Sequence, residues 1–121
     1  MKRILIVDDS MFARMVLKDS IPSENTEIHE AANGKEALEK FREISPHVVF
    51  LDLNMPDMGG IDVLKRLRPV KHGASIYVIS ADLQKVTREK VMSLGATEMM
   101  KKPPQKGDIV RIIQELREEV S

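Results

Sequence analysis

Residues 48–68 read VVFLDLNMPDMGGIDVLKRLR, and this stretch decides the fold. It opens on four successive apolar residues, Val48 to Leu51, closed by Asp52. A short continuous apolar run suits a strand covered on both faces, as strands of parallel sheets are. Residues 55–60 read as a loop, marked by Pro56 and the Gly59-Gly60 pair. Ile61, Leu64 and Leu67 then recur at helical spacing, with Pro69 near the end of that helix. Strand, loop and helix make one unit of a parallel crossover fold.

The unit recurs in both directions. Toward the N-terminus, Ile4 to Val7 is a β-branched run ending at Asp8-Asp9, and Phe12, Ala13, Val16, Leu17 and Ile21 then follow at helical spacing until Pro22. Residues 26–32 carry a weaker strand signal, Asn33-Gly34 reads as a turn, and Ala37, Leu38 and Phe41 mark a second helix. Toward the C-terminus, Ile76 to Ile79 predicts a strand ending at Ser80, and residues 86–94 a helix with Gly95 as its C-terminal cap. Residues 96–101 form the weakest strand signal, with only Met99 and Met100 as bulky apolar residues. Ile109, Ile112, Ile113, Leu116 and Val120 line the last helix. Five strands alternating with five helices predict the α/β class: one open, mostly parallel sheet with helices on both faces. No linker or low-complexity segment interrupts residues 1–121, so the expectation is one domain with no output domain after it.

Composition removes several classes of function. With no cysteine there is no disulfide, thiolate-bound zinc or thiol catalysis. Nineteen basic residues balance nineteen acidic ones, so no global basic field holds nucleic acid by its phosphates. No apolar run approaches a membrane span or follows a basic start as in a signal peptide, and a cytoplasmic protein without membrane insertion is expected. Neither a G-x-G-x-x-G nor a phosphate-cradling G-x-x-x-x-G-K-[ST] motif is present. Three Phe, one Tyr and no Trp disfavour flavin binding and base stacking. The eight methionines read as core and surface filler, the three histidines share no metal-ligand spacing, and residues 85–90 read as a solvated helix face.

Ligands of open α/β sheets bind outside the carboxyl ends of the strands. There this chain places Asp8 and Asp9 after the first strand, Asp52 after the third, Ser80 after the fourth and Lys102 after the fifth. Three carboxylates on one rim repel: a like-charge pair about 4 Å apart costs roughly 4 kcal/mol at an effective dielectric of about 20. A divalent cation, a raised pKa or Lys102 relieves that cost. Oxygen ligands without histidine or thiol select Mg²⁺ or Mn²⁺. A carboxylate beside such a cation is a nucleophile toward phosphorus, with Lys102 neutralising the transferred group and Ser80 donating to it. Each residue alone also has an ordinary reading: Asp9 as a helix N-cap, Asp8 and Lys102 as solvated, Ser80 as a loop hydroxyl. Their joint occurrence at successive strand ends favours the functional one.

These residues resemble the receiver domain of bacterial two-component response regulators, in its CheY-like form. The resemblance rests on ILIVDDS at 4–10, AANGKEAL at 31–38, residues 48–68, VISA at 78–81, LGA at 94–96 and KKP at 101–103. It implies a flavodoxin-like sheet of strand order 2-1-3-4-5. It also implies Asp52 as phosphoacceptor, Mg²⁺ on Asp9, Asp52 and the Asn54 carbonyl, and Asp8 acting through a bound water. Lys102 would pair with the phosphoryl group, Ser80 would move to bond it, and Pro103 would follow a cis peptide. Asn54 and Asp82 would flank the water that resets the switch. The family often has Tyr or Phe three residues before the lysine; Met99 stands there, so coupling to the surface of the fourth helix, fifth strand and fifth helix is expected to be altered.

The implied function is phosphoryl transfer from a histidine kinase or phosphotransfer protein to a monomeric signalling protein that is not itself an enzyme. Its downstream protein target would dock on that surface, in chemotaxis or as a relay or phosphate sink. Two rivals stand beside it: a Mg²⁺-dependent phosphohydrolase with an Asp nucleophile, and a docking module independent of phosphorylation.

Overall fold

A computed structural model describes residues 1–116. Its elements are β1 (Lys2–Val7), α1 (Met11–Ser20), β2 (Thr26–Ala31), α2 (Gly34–Ile44), β3 (Val48–Asp52), α3 (Gly60–Leu67), β4 (Ser75–Ser80), α4 (Lys85–Ser93), β5 (Glu98–Lys101) and α5 (Lys106–Glu115). The five strands are parallel in the order β2-β1-β3-β4-β5. The flavodoxin-like arrangement implied by the resemblance is therefore the one observed.

The apolar runs become central strands because their alternate residues feed two separate cores. Leu5, Val7, Val49, Leu51 and Val78 pack with Ala37, Phe41, Val63, Leu64 and Val91 on the side of α2, α3 and α4. Ile4, Ile6, Val48 and Phe50 pack with Leu17, Ile109, Ile112 and Ile113 on the side of α1 and α5. Burial of both faces removes the alternation that a half-exposed strand would show.

Several local readings change. Asn33-Gly34 is not a free turn: Asn33 caps α2, its side chain accepting from the Glu36 N–H at 2.8 Å, and Gly34 is the first helical residue. Gly60 likewise begins α3 rather than ending the loop. The fifth strand is shorter than expected. Gly95 has φ of 101° and follows the C-cap Leu94, as the sequence predicts. On α1 only Leu17 is buried, with Ile21 beyond it, while Phe12 and Val16 are 69% and 39% exposed. Val120 lies outside the described residues.

Candidate functional site

Parallel pairing fixes which strand ends meet. Val7 pairs with Leu51, Asp52 with Ile79, and Ser80 with Lys101, so the residues following these pairs emerge on one rim. There Asp8, Asp9 and Asp52 each offer a carboxylate oxygen, all within 4.8 Å of one another. Asp8 and Asp52 are buried and Asp9 is exposed. Lys102 Nζ lies 2.8 Å from Asp8 Oδ2 and 3.5 Å from Asp52 Oδ1. Three acids and one ammonium leave the cluster with excess negative charge.

Each group is held by its local chain. Asp8 Oδ1 accepts from the Ser10 N–H at 2.9 Å. Ser10, not Asp9, caps α1, accepting from the Ala13 N–H at 3.1 Å, so Asp9 is not the cap and faces outward toward the rim. Arg14, which the sequence reading missed, donates to the Asp8 carbonyl at 2.7 Å and pairs with Glu30 at 3.0 Å. It fixes the backbone under the cluster without touching its carboxylates. Asp52 Oδ1 accepts a long bond, 3.4 Å, from the Asn54 N–H. The Lys102 N–H donates to the Ser80 carbonyl at 2.9 Å, and the Lys102–Pro103 peptide is cis.

The other predicted residues differ in burial and partners. Ser80 is fully buried, its hydroxyl accepting from the Asp82 N–H at 3.1 Å. Exposed Asp82 turns back on its own loop, accepting from the Gln84 N–H at 3.0 Å. Asn54 is exposed. Met99 is buried in the core on the α2, α3 and α4 side.

Burial pushes the Asp52 carboxyl above its usual range, the Asp8 charge pushes further, and Lys102 opposes both. Burial works against the Lys102 charge, yet its bond to Asp8 and the two carboxylates outweigh it and raise its pKa. An all-oxygen donor set with surplus negative charge fits a hard divalent cation such as Mg²⁺ and not a soft one.

Gly60 was also missed as a site residue. A Cβ built there would lie 2.7 Å from the Asp52 carbonyl oxygen and 2.9 Å from Leu53 Cα, both backbone atoms. Gly60→Ala is expected to cost about 1–3 kcal/mol by displacing the end of β3. A fall in the urea midpoint at unchanged m-value checks this; an unshifted midpoint contradicts it.

Comparison with known proteins gives concordant results. The family model for the response regulator receiver domain matches residues 4–114. The chain is 40% identical over 116 residues to the chemotaxis protein CheY of Thermotoga maritima, covering 95% of this chain and 97% of that protein. It is 38% identical over 112 residues to the chemotaxis protein CheY of Bacillus subtilis, covering 92% and 93%. A chain of the CheX–CheY–BeF₃–Mg²⁺ complex from Borrelia burgdorferi superposes with a TM-score of 0.84 at 29% identity, covering 93% of this chain and 87% of that one.

Proposed function

The chain belongs to the response regulator receiver family, and on that premise we propose that it is a phosphoacceptor switch of chemotaxis or phosphorelay signalling with Asp52 as the acceptor. The observation that carries this reading is the acidic trio with Lys102 Nζ 2.8 Å from Asp8 and 3.5 Å from Asp52. Such clustering opposes folding and is accounted for by chemistry at the rim.

In this reading a phosphohistidine on a histidine kinase or phosphotransfer protein meets the cluster. An Asp52 carboxylate oxygen attacks phosphorus. The P–O bond forms as the P–N bond breaks, and its electron pair leaves with the imidazole. Lys102 balances charge on the phosphoryl oxygens. Asp8, Asp9, Asp52 and the Asn54 carbonyl would hold Mg²⁺, which when bound supplies further positive charge beside those oxygens. Ser80 exchanges its bond with Asp82 for one to the phosphoryl group, and Met99, in place of a ring, transmits that change weakly to α4, β5 and α5. The downstream protein target docks on that face. Water attack at phosphorus later returns the Asp52 carboxylate and phosphate, with Asn54 and Asp82 flanking the water. The protein thus assists its own modification and reset.

Rival readings fare worse. A phosphohydrolase with an Asp nucleophile wants an acid two residues on, and Asn54 stands there. A docking module independent of phosphorylation leaves the buried acids and Lys102 without a purpose. For the donor, a cleft of about 360 Å³ runs from Asp8 and Lys102 along Phe12, Ala13 and Val16 to Pro103 and Pro104. Its apolar wall supports docking of a helical donor against α1.

Intact mass after incubation with a small phosphodonor and Mg²⁺ tests the acceptor. One added phosphoryl group in wild type and none in Asp52→Asn is expected; equal labelling of both refutes it. Phe12→Asp is expected to slow transfer from a protein donor about tenfold or more while leaving labelling by the small donor unchanged.

A further inference from the structure

The edge of the sheet where the strands begin, opposite the acidic cluster, gathers Arg3, Arg42 and Lys71 around one cleft. A cleft of about 390 Å³ opens at this edge, where the turn after α2 and the loop after α3 meet the start of β1. Arg3, Arg42, Lys71 and His72 line it with Pro46 and Val70, and no acidic side chain is on its walls. Among the described residues, Arg3, Arg42 and Lys71 enter no ion pair.

The hydrogen bonding makes this a donor-rich cleft. Arg3 Nε donates to the Ile44 carbonyl at 2.7 Å, and its Nη2 to the Ser45 carbonyl at 3.0 Å. The carbonyl end of α2, which would repel an anion, is thereby covered, and the guanidinium is held in place. Nη1 takes no part in these bonds. Arg42 bonds the Leu38 carbonyl through Nε alone, at 3.4 Å, leaving its terminal amino groups. His72 Nδ1 accepts from the Ala74 N–H at 3.2 Å, so the neutral ring carries its proton on Nε2. That assignment makes His72 a donor and disqualifies it as a metal ligand through Nε2. The ring also packs edge-on against Phe41, centroids 5.0 Å apart.

We infer that this cleft binds a multiply charged phosphate group, either a free phosphate chain or the phosphates of a nucleotide, at the pole opposite Asp52. Bidentate guanidinium forks and an ammonium suit phosphate oxygens, and the lack of a competing carboxylate leaves them available. The inference stands on this cleft alone and does not depend on the phosphoacceptor reading.

Amide NMR of the full chain, titrated without divalent cations by inorganic pyrophosphate and separately by ATP, tests it. Saturable shifts at Arg3, Arg42, Ser45, Lys71 and His72 are expected. Arg42→Gln with Lys71→Gln should weaken binding about tenfold or more, while Asp52→Asn leaves it unchanged. Tighter binding of ATP assigns the site to a nucleotide; equal binding assigns it to a phosphate chain. Shifts confined to Asp8, Asp52 and Lys102, drift without saturation, or undiminished binding by the double variant would overturn the inference.

Discussion

Lys102→Met is expected to slow phosphorylation of Asp52 by a small donor about 100-fold or more, at saturating donor and Mg²⁺. The magnitude is that of removing one positioned electrostatic group from a transition state. Lys102 bridges Asp8 and Asp52, at 2.8 Å and 3.5 Å, on a side chain about one third exposed. Its charge is therefore in place before the phosphoryl group arrives, and no reorganisation is required. Loss of the ammonium also removes the one influence among the neighbouring side chains that lowers the Asp52 pKa. More of the nucleophile is then protonated, which compounds the defect. The same change is expected to destabilise the fold by about 1–3 kcal/mol, because Asp8 and Asp52 stay buried without their counter-charge. The sign against pH follows from the raised amine pKa: its stabilisation is complete at neutral pH and fades only as pH rises beyond 10.5 through the folded value. Time courses of intact mass measure the rate. A variant within about threefold of wild type would show that Lys102 serves the fold and not the transfer.

How much of this was legible in the sequence depended on the kind of signal. Val48 to Leu51 and Ile4 to Val7 announce themselves because both faces of each strand are covered, and the acids following them are placed by that fact alone. Alternation of strands and helices yields the α/β class but not the order of strands, which came from the family resemblance. The weak fifth strand was found only as Met99-Met100, since four residues give little periodicity. Phe12 and Val16 share helical spacing with Leu17, yet only Leu17 reaches the core beneath α5. Spacing shows that a helix has an apolar side, not how much of it a neighbour covers. Adjacent Asp8 and Asp9 look alike in sequence but differ in burial and partner: Asp8 is buried, accepts from the Ser10 N–H and pairs with Lys102, whereas Asp9 is exposed. Arg14 and Gly60 were invisible for a further reason. Their parts are played through backbone atoms of Asp8 and Asp52, and no side-chain motif records such contacts.

Asp52→Asn, which removes the proposed acceptor, is expected to make the protein more stable at neutral pH by about 1–3 kcal/mol. Asp52 is 4% exposed. Burial and the Asp8 charge raise its pKa above 3.8 despite Lys102. A carboxyl with a raised folded-state pKa binds its proton more tightly when folded, so its ionisation favours unfolding. Wild-type stability should accordingly fall as pH rises from 3.8 through the folded value, on this group's account. The variant lacks that loss, so the gap between the two proteins opens as pH rises from 3.8 through the folded value and closes in acid. The lost contact with Lys102 is the weaker one, at 3.5 Å against 2.8 Å to Asp8, and offsets the gain only in part. Mg²⁺ supplies the complementary arm: a cation bound only by the folded acidic cluster stabilises wild type by mass action, so adding it should narrow the gap. Urea unfolding of both proteins across pH, with and without Mg²⁺, measures all three effects. A variant no more stable than wild type at neutral pH, or a gap that persists unchanged in acid, would mean that the Asp52 charge is not held in the folded protein at a cost. The cluster would then not be maintained against stability for its chemistry.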